Sequence, residues 1–278
     1  MKNLVDVKWL KQNINDENLV IIDCRFDLKD KEYGKRSFEK SHIKGAFRLD
    51  IETQLTKEIS THGGRHPLPS PNELKEVFEN IGINNNSKVV IYDDGDLSGA
   101  ARVWCILKYL GHKNVFVLNG GIKEFIKIDG EVSKEDSIPK KGDFDIDINR
   151  DMNVDINYVK NILKDENVLL VDSREYVRYI GEFEPVDFKK GHIPGAKNYF
   201  WQDVLDINEE FIKLKDCEIL KKHFEKLNNY KEIIIYCGSG ITASVNSIAL
   251  DEIGINHKIY QGSFSDWITY EENEVSTI

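Results

Sequence analysis

Leu19-Val-Ile-Ile-Asp-Cys-Arg25 and Val168-Leu-Leu-Val-Asp-Ser-Arg174 are two apolar runs that each end in Asp-x-Arg. The motif Ser41-His-Ile-Lys-Gly-Ala46 likewise returns as Gly191-His-Ile-Pro-Gly-Ala196. The spacing is nearly constant, 149 residues between the aspartates and 150 between the histidines. Two matches at one spacing are typical of an internal duplication. The sequence therefore predicts two copies of one structural unit.

Each copy alternates short β-rich runs with segments of helical period, which predicts an α/β fold with a mostly parallel sheet flanked by helices. Between the copies, the chain is rich in Lys, Asp and Gly and shows little apolar periodicity. We therefore expect a first domain over residues 1–128, a linker over 129–153 and a second domain over 154–278.

Composition narrows the possible functions. The chain has 278 residues, enough for two cores of ordinary size, and a formal net charge of −10 that offers no general footprint for nucleic acid. Residues 1–20 contain no apolar run of the kind that a signal peptide or a membrane span needs, so we expect a cytoplasmic protein without a membrane partner. Four widely separated cysteines without a Cys-x-x-Cys pair argue against a disulfide framework or a zinc site.

One of those cysteines stands where chemistry is expected. Cys237 follows the apolar strand Ile233-Ile-Ile-Tyr236 and precedes Gly238-Ser-Gly-Ile-Thr242, after which a helical segment begins. Ligands bind at the carboxyl ends of parallel strands, and a glycine-containing loop entering a helix presents unpaired backbone N–H groups. Such a nest lowers the pKa of a thiol and makes it nucleophilic. Cys24, Cys105 and Cys217 lack such a loop, and we interpret them as structural.

These motifs together resemble a known family. The repeated Asp-x-Arg, the repeated His-Ile-x-Gly-Ala and above all Cys237-Gly-Ser-Gly-Ile-Thr-Ala243 are similar to a two-domain rhodanese-type sulfurtransferase, in its 3-mercaptopyruvate branch. The resemblance implies two tandem rhodanese-like domains with the active cleft between them. It also implies a catalytically silent first domain, in which Asp93 stands at the cysteine position, and a Cys237 persulfide as the carried group. The backbone of Gly238, Gly240, Ile241 and Thr242 would bind the substrate.

The charges near the loop indicate which sulfur donor is used. Thiosulfate is a compact dianion that needs nearby cations, and the rhodanese branch has two of them in the loop, where this chain has the neutral Gly238 and Ser239. Mercaptopyruvate carries its charge on a carboxylate, and by resemblance Arg178 would hold it with its guanidinium fork. Animal members have a further arginine just beyond the motif Glu184-Pro185, and this chain does not; Lys189 or Lys190 is our candidate for the second cation.

The resemblance also implies a proton relay that reaches across the domain interface. By position its members are Ser239, His66 and Glu52, with the acid fixing the imidazole tautomer and the histidine exchanging a proton with the serine. Sequence spacing alone does not bring these residues together. His62, in the same loop, competes for the histidine role, although we expect it to be a surface residue.

The repeated ionisable residues predict structure rather than catalysis. Asp23, Arg25, Asp172, Arg174, His42 and His192 recur in both copies, including the one that lacks the cysteine. We expect them to tie strand ends to loops through buried charge-assisted hydrogen bonds. Trp267 is expected to pack after a turn.

Three other functions are weighed against mercaptopyruvate sulfurtransferase, and two of them stay open. A thiol phosphatase needs an arginine six positions after its cysteine, where this chain has Ala243, so we set it aside. Thiosulfate sulfurtransferase is the second candidate activity. A non-catalytic persulfide carrier or binding module is the third, and a persulfide assay on Cys237 separates it from the enzymes.

Sulfur transfer requires no metal or organic cofactor, and we expect a thioredoxin or a small thiol as acceptor, with cyanide serving in vitro.

Overall fold

A computed structural model describes residues 1–207 and 209–278, and the chain divides into two compact units. The first unit consists of Met1–Thr56, Pro69–Asn149 and Asp206–Leu214, and the second of Lys57–Leu68, Arg150–Leu205 and Lys215–Ile278. The short segment 57–68 thus belongs to the second unit although it interrupts the first. This exchange of a segment matters for the site described below.

Helices and strands alternate along residues 1–149, as the sequence predicts. Their bounds are β1 (Leu4–Val5), α1 (Val7–Asn13), β2 (Leu19–Asp23), α2 (Tyr33–Lys40), β3 (His42–Ile43), β4 (Ala46–Arg48), α3 (Pro71–Asn80), β5 (Lys88–Tyr92), α4 (Ser98–Tyr109), β6 (Val115–Leu118), α5 (Gly121–Lys127) and β7 (Val132–Ser133). A capping box starts α3, because the Ser70 side chain accepts from the Glu73 N–H while the Glu73 carboxylate accepts from the Ser70 N–H.

The same alternation continues from residue 150. The elements are β8 (Asn153–Val154), α6 (Ile156–Ile162), β9 (Val168–Asp172), α7 (Tyr176–Tyr179), β10 (Lys197–Asn198), β11 (Leu205–Asp206), β12 (Lys213–Leu214), α8 (Cys217–His223), β13 (Glu232–Tyr236), α9 (Ala243–Glu252), β14 (Lys258–Tyr260) and α10 (Ser263–Trp267). Two 3₁₀ turns, Trp201–Val204 and Glu225–Asn229, complete this part of the chain.

The two units have the same sheet topology. Five parallel strands run in the order β1-β6-β5-β2-β4 in the first unit and β8-β14-β13-β9-β10 in the second. The central strands β5 and β13 are buried except at their first residue, as expected for strands covered on both faces. The predicted α/β class with two duplicated parallel sheets is confirmed.

The repeated Asp-x-Arg motif forms a buried ion pair at the end of the same strand in each unit. Arg25 Nη2 lies 2.6 Å from Asp23 Oδ2 and also donates to the Ser41 carbonyl. Arg174 Nη2 lies 2.7 Å from Asp172 Oδ2 and donates to the Gly191 carbonyl. The predicted structural role of these residues is confirmed.

The repeated histidines are structural as well. His42 Nδ1 lies 2.8 Å from the Phe38 carbonyl, and His192 Nδ1 lies 2.7 Å from the Tyr179 carbonyl. Both imidazoles are buried, and each stacks on an aromatic ring, that of Phe38 or Tyr179. Trp267 is buried after its turn and donates to the Glu274 carbonyl, as expected.

The segment that follows the first domain in sequence lies along the first unit. The backbone N–H of Gly142 donates to Glu79, and those of Asp147 and Asn149 donate to the carbonyls of Leu110 and Tyr109. Phe144 is buried and contacts the ring of His112. The domain and linker boundaries expected from sequence stay a prediction.

We expect Asp23→Ala to destabilise the first unit, because it leaves the Arg25 guanidinium buried without its carboxylate. Breaking a buried pair from one side costs about 3–5 kcal/mol. Native-state hydrogen exchange of the β5 amides measures this loss within the unit concerned. Glu131→Ala removes the exposed pair with Lys44 and serves as control, for which exchange of β5 is unchanged. Equal protection in both variants would contradict the structural role of Asp23.

Candidate functional site

Cys237 lies at the carboxyl end of β13, directly before α9, in a loop that the start of α10 holds in place. The backbone N–H of Phe264 donates to the Cys237 carbonyl at 3.0 Å, and that of Ser265 donates to the Gly238 carbonyl at 2.9 Å. Gly240 has a φ of +82°, which a residue with a Cβ rarely adopts. The loop therefore curls back over the thiol, as its glycines predict.

The Cys237 thiol is 1% exposed and surrounded by hydrogen-bond donors. The Gly240 N–H lies 3.1 Å from Sγ. Burial by itself raises the pKa of Cys237, but the Thr242 hydroxyl and the backbone N–H groups of Ala243, Ser239 and Gly240 outweigh it, so that the pKa is lowered from its ordinary value. The loop can thus stabilise a thiolate without a cationic side chain.

The environment of Cys24 differs from that of Cys237. Cys24 donates to the Tyr92 carbonyl, and burial together with Asp93 raises its pKa well above the ordinary value. Cys105 is buried and Cys217 half-buried, and neither forms a disulfide.

Two members of the expected relay meet in the second unit. His66, in segment 57–68, has its Nδ1 2.7 Å from Ser239 Oγ, and both side chains are buried. Glu52 belongs to the first unit, where its backbone N–H donates to Asp50. The place of Glu52 in the relay stays a prediction. His62 is exposed, stacks on Tyr270 and bonds to Thr269, as its expected surface role requires.

Arg178 lies beside the cysteine loop and is held by two carboxylates. Its Nε and Nη2 donate to Glu184, and Nη2 lies 3.1 Å from Asp187 Oδ2. Both carboxylates are almost fully buried, with side chains 0% and 2% exposed, whereas Arg178 is 17% exposed. Glu184 also pairs with Arg174, so the guanidinium of Arg178 is fixed in orientation while one edge faces the loop.

One cation at this site, Arg65, was not predicted from the sequence. Arg65 forms an ion pair with Asp187, and its Nη2 is 2.8 Å from the point where a Cβ on Gly238 would lie. The corresponding distance from Arg178 Nη2 is 3.6 Å. The sequence did contain a signal for Arg65, because this residue directly precedes His66. If His66 lies next to Ser239, the adjacent Arg65 is expected to lie close to Gly238, which precedes Ser239. Lys189 and Lys190, the expected sources of a second cation, are half-buried and exposed.

The first unit has a matching loop with a carboxylate in place of the thiol. Asp93 follows β5 and is buried, with its Oδ1 accepting from the N–H groups of Gly95 and Leu97 and its Oδ2 from that of Ala100. Burial and the charge of Asp96 raise the pKa of Asp93 to about 7, against the effect of the backbone hydrogen bonds. An internal side chain thus fills this nest.

Metal ligation and membrane insertion find no support in the parts of the chain that the structure covers. Within 1–207 and 209–278, no three His, Cys, Asp or Glu residues are grouped so that they could hold a metal ion. The helices in those ranges are also too short or too polar to span a bilayer.

Fold and site together define a class of two-unit α/β proteins with an activated thiol at the end of a parallel strand. The particular family follows from comparison with known proteins: the chain belongs to the rhodanese-like domain family, whose model matches residues 6–128 and 155–270.

Similar full-length proteins carry names of two related activities. The chain is 34% identical to the probable 3-mercaptopyruvate sulfurtransferase of Pseudomonas aeruginosa, over 99% of this chain and 98% of the relative. It is 30% identical to the thiosulfate sulfurtransferase of Rattus norvegicus, over 95% and 91%. The crystal structure of the 3-mercaptopyruvate sulfotransferase SseA from Escherichia coli superposes with a TM-score of 0.80 at 27% identity, covering 95% of this chain and all of that one. The family expected from sequence is confirmed.

We expect Thr242→Val to raise the pKa of Cys237, because the valine cannot donate the hydroxyl hydrogen bond that stabilises the thiolate. Fewer thiols would then be ionised at pH 7, while each remaining thiolate would be somewhat more nucleophilic. Alkylation by iodoacetamide should therefore slow about threefold to tenfold at pH 7, whereas at high pH, where both thiols are ionised, the variant should react slightly faster. Thr53→Val, at an exposed position of the first unit, is the control. An unchanged pH profile in Thr242→Val would contradict the stabilisation of the Cys237 thiolate by the Thr242 hydroxyl.

Proposed function

We propose that this protein is a 3-mercaptopyruvate sulfurtransferase that carries sulfur as a Cys237 persulfide. The observation that carries the proposal is the Cys237 thiol with its lowered pKa, buried among hydrogen-bond donors next to the Arg178 guanidinium. The names of the full-length relatives support sulfur transfer and include both mercaptopyruvate and thiosulfate as donors.

In the first half-reaction, the Cys237 thiolate attacks the sulfur of mercaptopyruvate while Arg178 binds the donor carboxylate. A sulfur–sulfur bond forms and the carbon–sulfur bond breaks, so that the bonding pair departs on carbon as the enolate of pyruvate. The proton of the donor thiol is passed to that carbon, giving pyruvate and an anionic persulfide on Cys237. The Thr242 hydroxyl and the N–H groups of Ser239, Gly240 and Ala243 receive the negative charge, and those of Gly238 and Ile241 are proposed to join them.

The proton is moved by Ser239 and His66 in this proposal. The 2.7 Å contact between Ser239 Oγ and His66 Nδ1 supports a proton path that begins in the cysteine loop. Glu52 is the proposed acid that fixes the imidazole. The first domain is proposed to be catalytically silent, because the Asp93 carboxylate occupies the position of the thiol.

In the second half-reaction, an acceptor thiol attacks the outer sulfur. The acceptor sulfur becomes a persulfide, its proton is released to the relay or to water, and Cys237 returns as a thiolate. We propose a thioredoxin or a small thiol as acceptor in the reducing cytoplasm; with cyanide the product is thiocyanate.

Thiosulfate sulfurtransferase is the second candidate function. Two guanidinium groups at the cysteine loop favour it, since they offer the cations that its dianionic donor needs. Donor preference therefore has to be measured with both substrates.

We expect Cys237→Ser to abolish sulfur transfer, because serine forms no persulfide, and Arg178→Ala to raise the KM for mercaptopyruvate about 10- to 100-fold. Steady-state rates with mercaptopyruvate and thiosulfate, side by side, measure both effects. Arg150→Ala, at an exposed arginine of the second unit, is the matched control with unchanged rates. Better turnover of thiosulfate than of mercaptopyruvate by the wild type would assign the second candidate function. No turnover of either donor would indicate a carrier or a scaffold, and of these two only the scaffold would form no persulfide on Cys237.

We expect Ser239→Ala and His66→Ala to lower kcat for mercaptopyruvate about 100-fold or more, whereas turnover of thiosulfate falls far less. The reason is that mercaptopyruvate must lose a thiol proton and pyruvate must gain one, while thiosulfate brings no proton to move. His62→Ala, in the same segment, is the control. Equal losses with the two donors would show that Ser239 and His66 only position the loop.

A further inference from the structure

The segment that carries Arg65 is fixed against α10. The backbone N–H of Gly63 donates to Asp266 Oδ1 at 2.7 Å, and that of Arg65 donates to Ser265 Oγ at 3.1 Å. Gly64 has a φ of +79°, and a Cβ there would lie 2.4 Å from the Gly262 carbonyl oxygen. Only glycine allows this close approach, so Gly64 lets the segment pack directly against the start of α10.

From this position against α10, the Arg65 side chain extends to the cysteine loop. Its Nη1 pairs with Asp187, the buried carboxylate that also binds Arg178. Its Nη2 is the atom nearest to the Cβ position of Gly238, at 2.8 Å. Burial lowers the pKa of Arg65, while the negative charge of Cys237 acts in the opposite direction. A shared carboxylate therefore orients two guanidinium groups toward the residue that follows the nucleophile.

We propose that Arg65 is the second donor-binding cation and acts with Arg178 on the carboxylate of mercaptopyruvate; this inference rests on the function proposed above. Asp187 is the positioning residue for both. Gly238 completes the arrangement, because any larger side chain at that position would push the Arg65 guanidinium away. In this proposal the second cation comes from segment 57–68 rather than from Lys189 or Lys190.

The decisive experiment compares Arg65→Gln and Arg65→Lys with the wild type. Arg65→Gln keeps the length but loses the charge, so the KM for mercaptopyruvate should rise about 10- to 100-fold while kcat changes less than about threefold. Arg65→Lys keeps the charge without the fork and should recover part of the loss. Arg150→Gln, the same substitution at an exposed arginine of the second unit, is the matched control with unchanged kinetics.

A binding measurement separates this proposal from the proposed function. Pyruvate is titrated calorimetrically into the Cys237→Ser protein, with and without Arg65→Gln, so that no sulfur transfer is needed. Weaker pyruvate binding in the double variant supports the assignment of Arg65 even if the wild type transfers no sulfur. Equal affinity of the two proteins, or no pyruvate binding at all, would overturn it.

A second variant covers the case in which Arg65→Gln is poorly folded. Gly238→Ala should displace the guanidinium and weaken mercaptopyruvate capture, and its effect should largely disappear in the Arg65→Lys background, whose thinner ammonium leaves room for the methyl group. Fully additive effects of Gly238→Ala and Arg65→Lys would mean that the two residues are not coupled, and would overturn the proposal.

Discussion

A buried network of aspartate, arginine and tyrosine fixes the end of the central strand pair in each unit. In the first, the Tyr92 hydroxyl donates to Asp23 and accepts from the backbone N–H of Ile43. In the second, the Tyr236 hydroxyl accepts from the N–H of Ile193 and bonds to Asp172. Each tyrosine is the last residue of its strand, directly before the functional position. The network therefore sets where the next residue lies, whether that residue is a carboxylate or a thiol.

The loop beyond that point imposes a second constraint, because its converging N–H groups need an electron-rich partner. Asp93 satisfies them permanently with two carboxylate oxygens, so the first nest is filled by its own chain. Cys237 satisfies them with a single sulfur that can be extended by another sulfur. The duplication thus preserves the electrostatic requirement, and in the proposed function the residue at this position decides whether the nest can carry a transferable group.

Sequence patterns could predict the features that depend on residues close together in the chain or on repeated motifs. The duplicated sheets follow from apolar periodicity, and the buried Asp23–Arg25 pair follows from its recurrence in the copy without a thiol. Apolar periodicity could not place Arg65, because its position depends on segment 57–68 folding onto residues 263–266, about 200 positions away; only its place next to His66 in sequence pointed to it. The role of Lys189 or Lys190 as a second cation stays a prediction. Asp187, in the same stretch of sequence, binds Arg178 from nearby and Arg65 from a distant segment.

Charge balance around the thiol bears directly on the choice of donor. Arg65, Arg174 and Arg178 are matched by three carboxylates, Asp172, Glu184 and Asp187. The network is therefore neutral before the thiolate forms, and it can offer directed hydrogen bonds but little net positive potential. Such a site suits a donor with one negative charge on a carboxylate, because that carboxylate can accept hydrogen bonds from two guanidinium groups. A dianion would bring its second charge next to the thiolate, where repulsion in a buried environment is poorly screened. The pairing of the arginines, more than their number, thus favours mercaptopyruvate over thiosulfate.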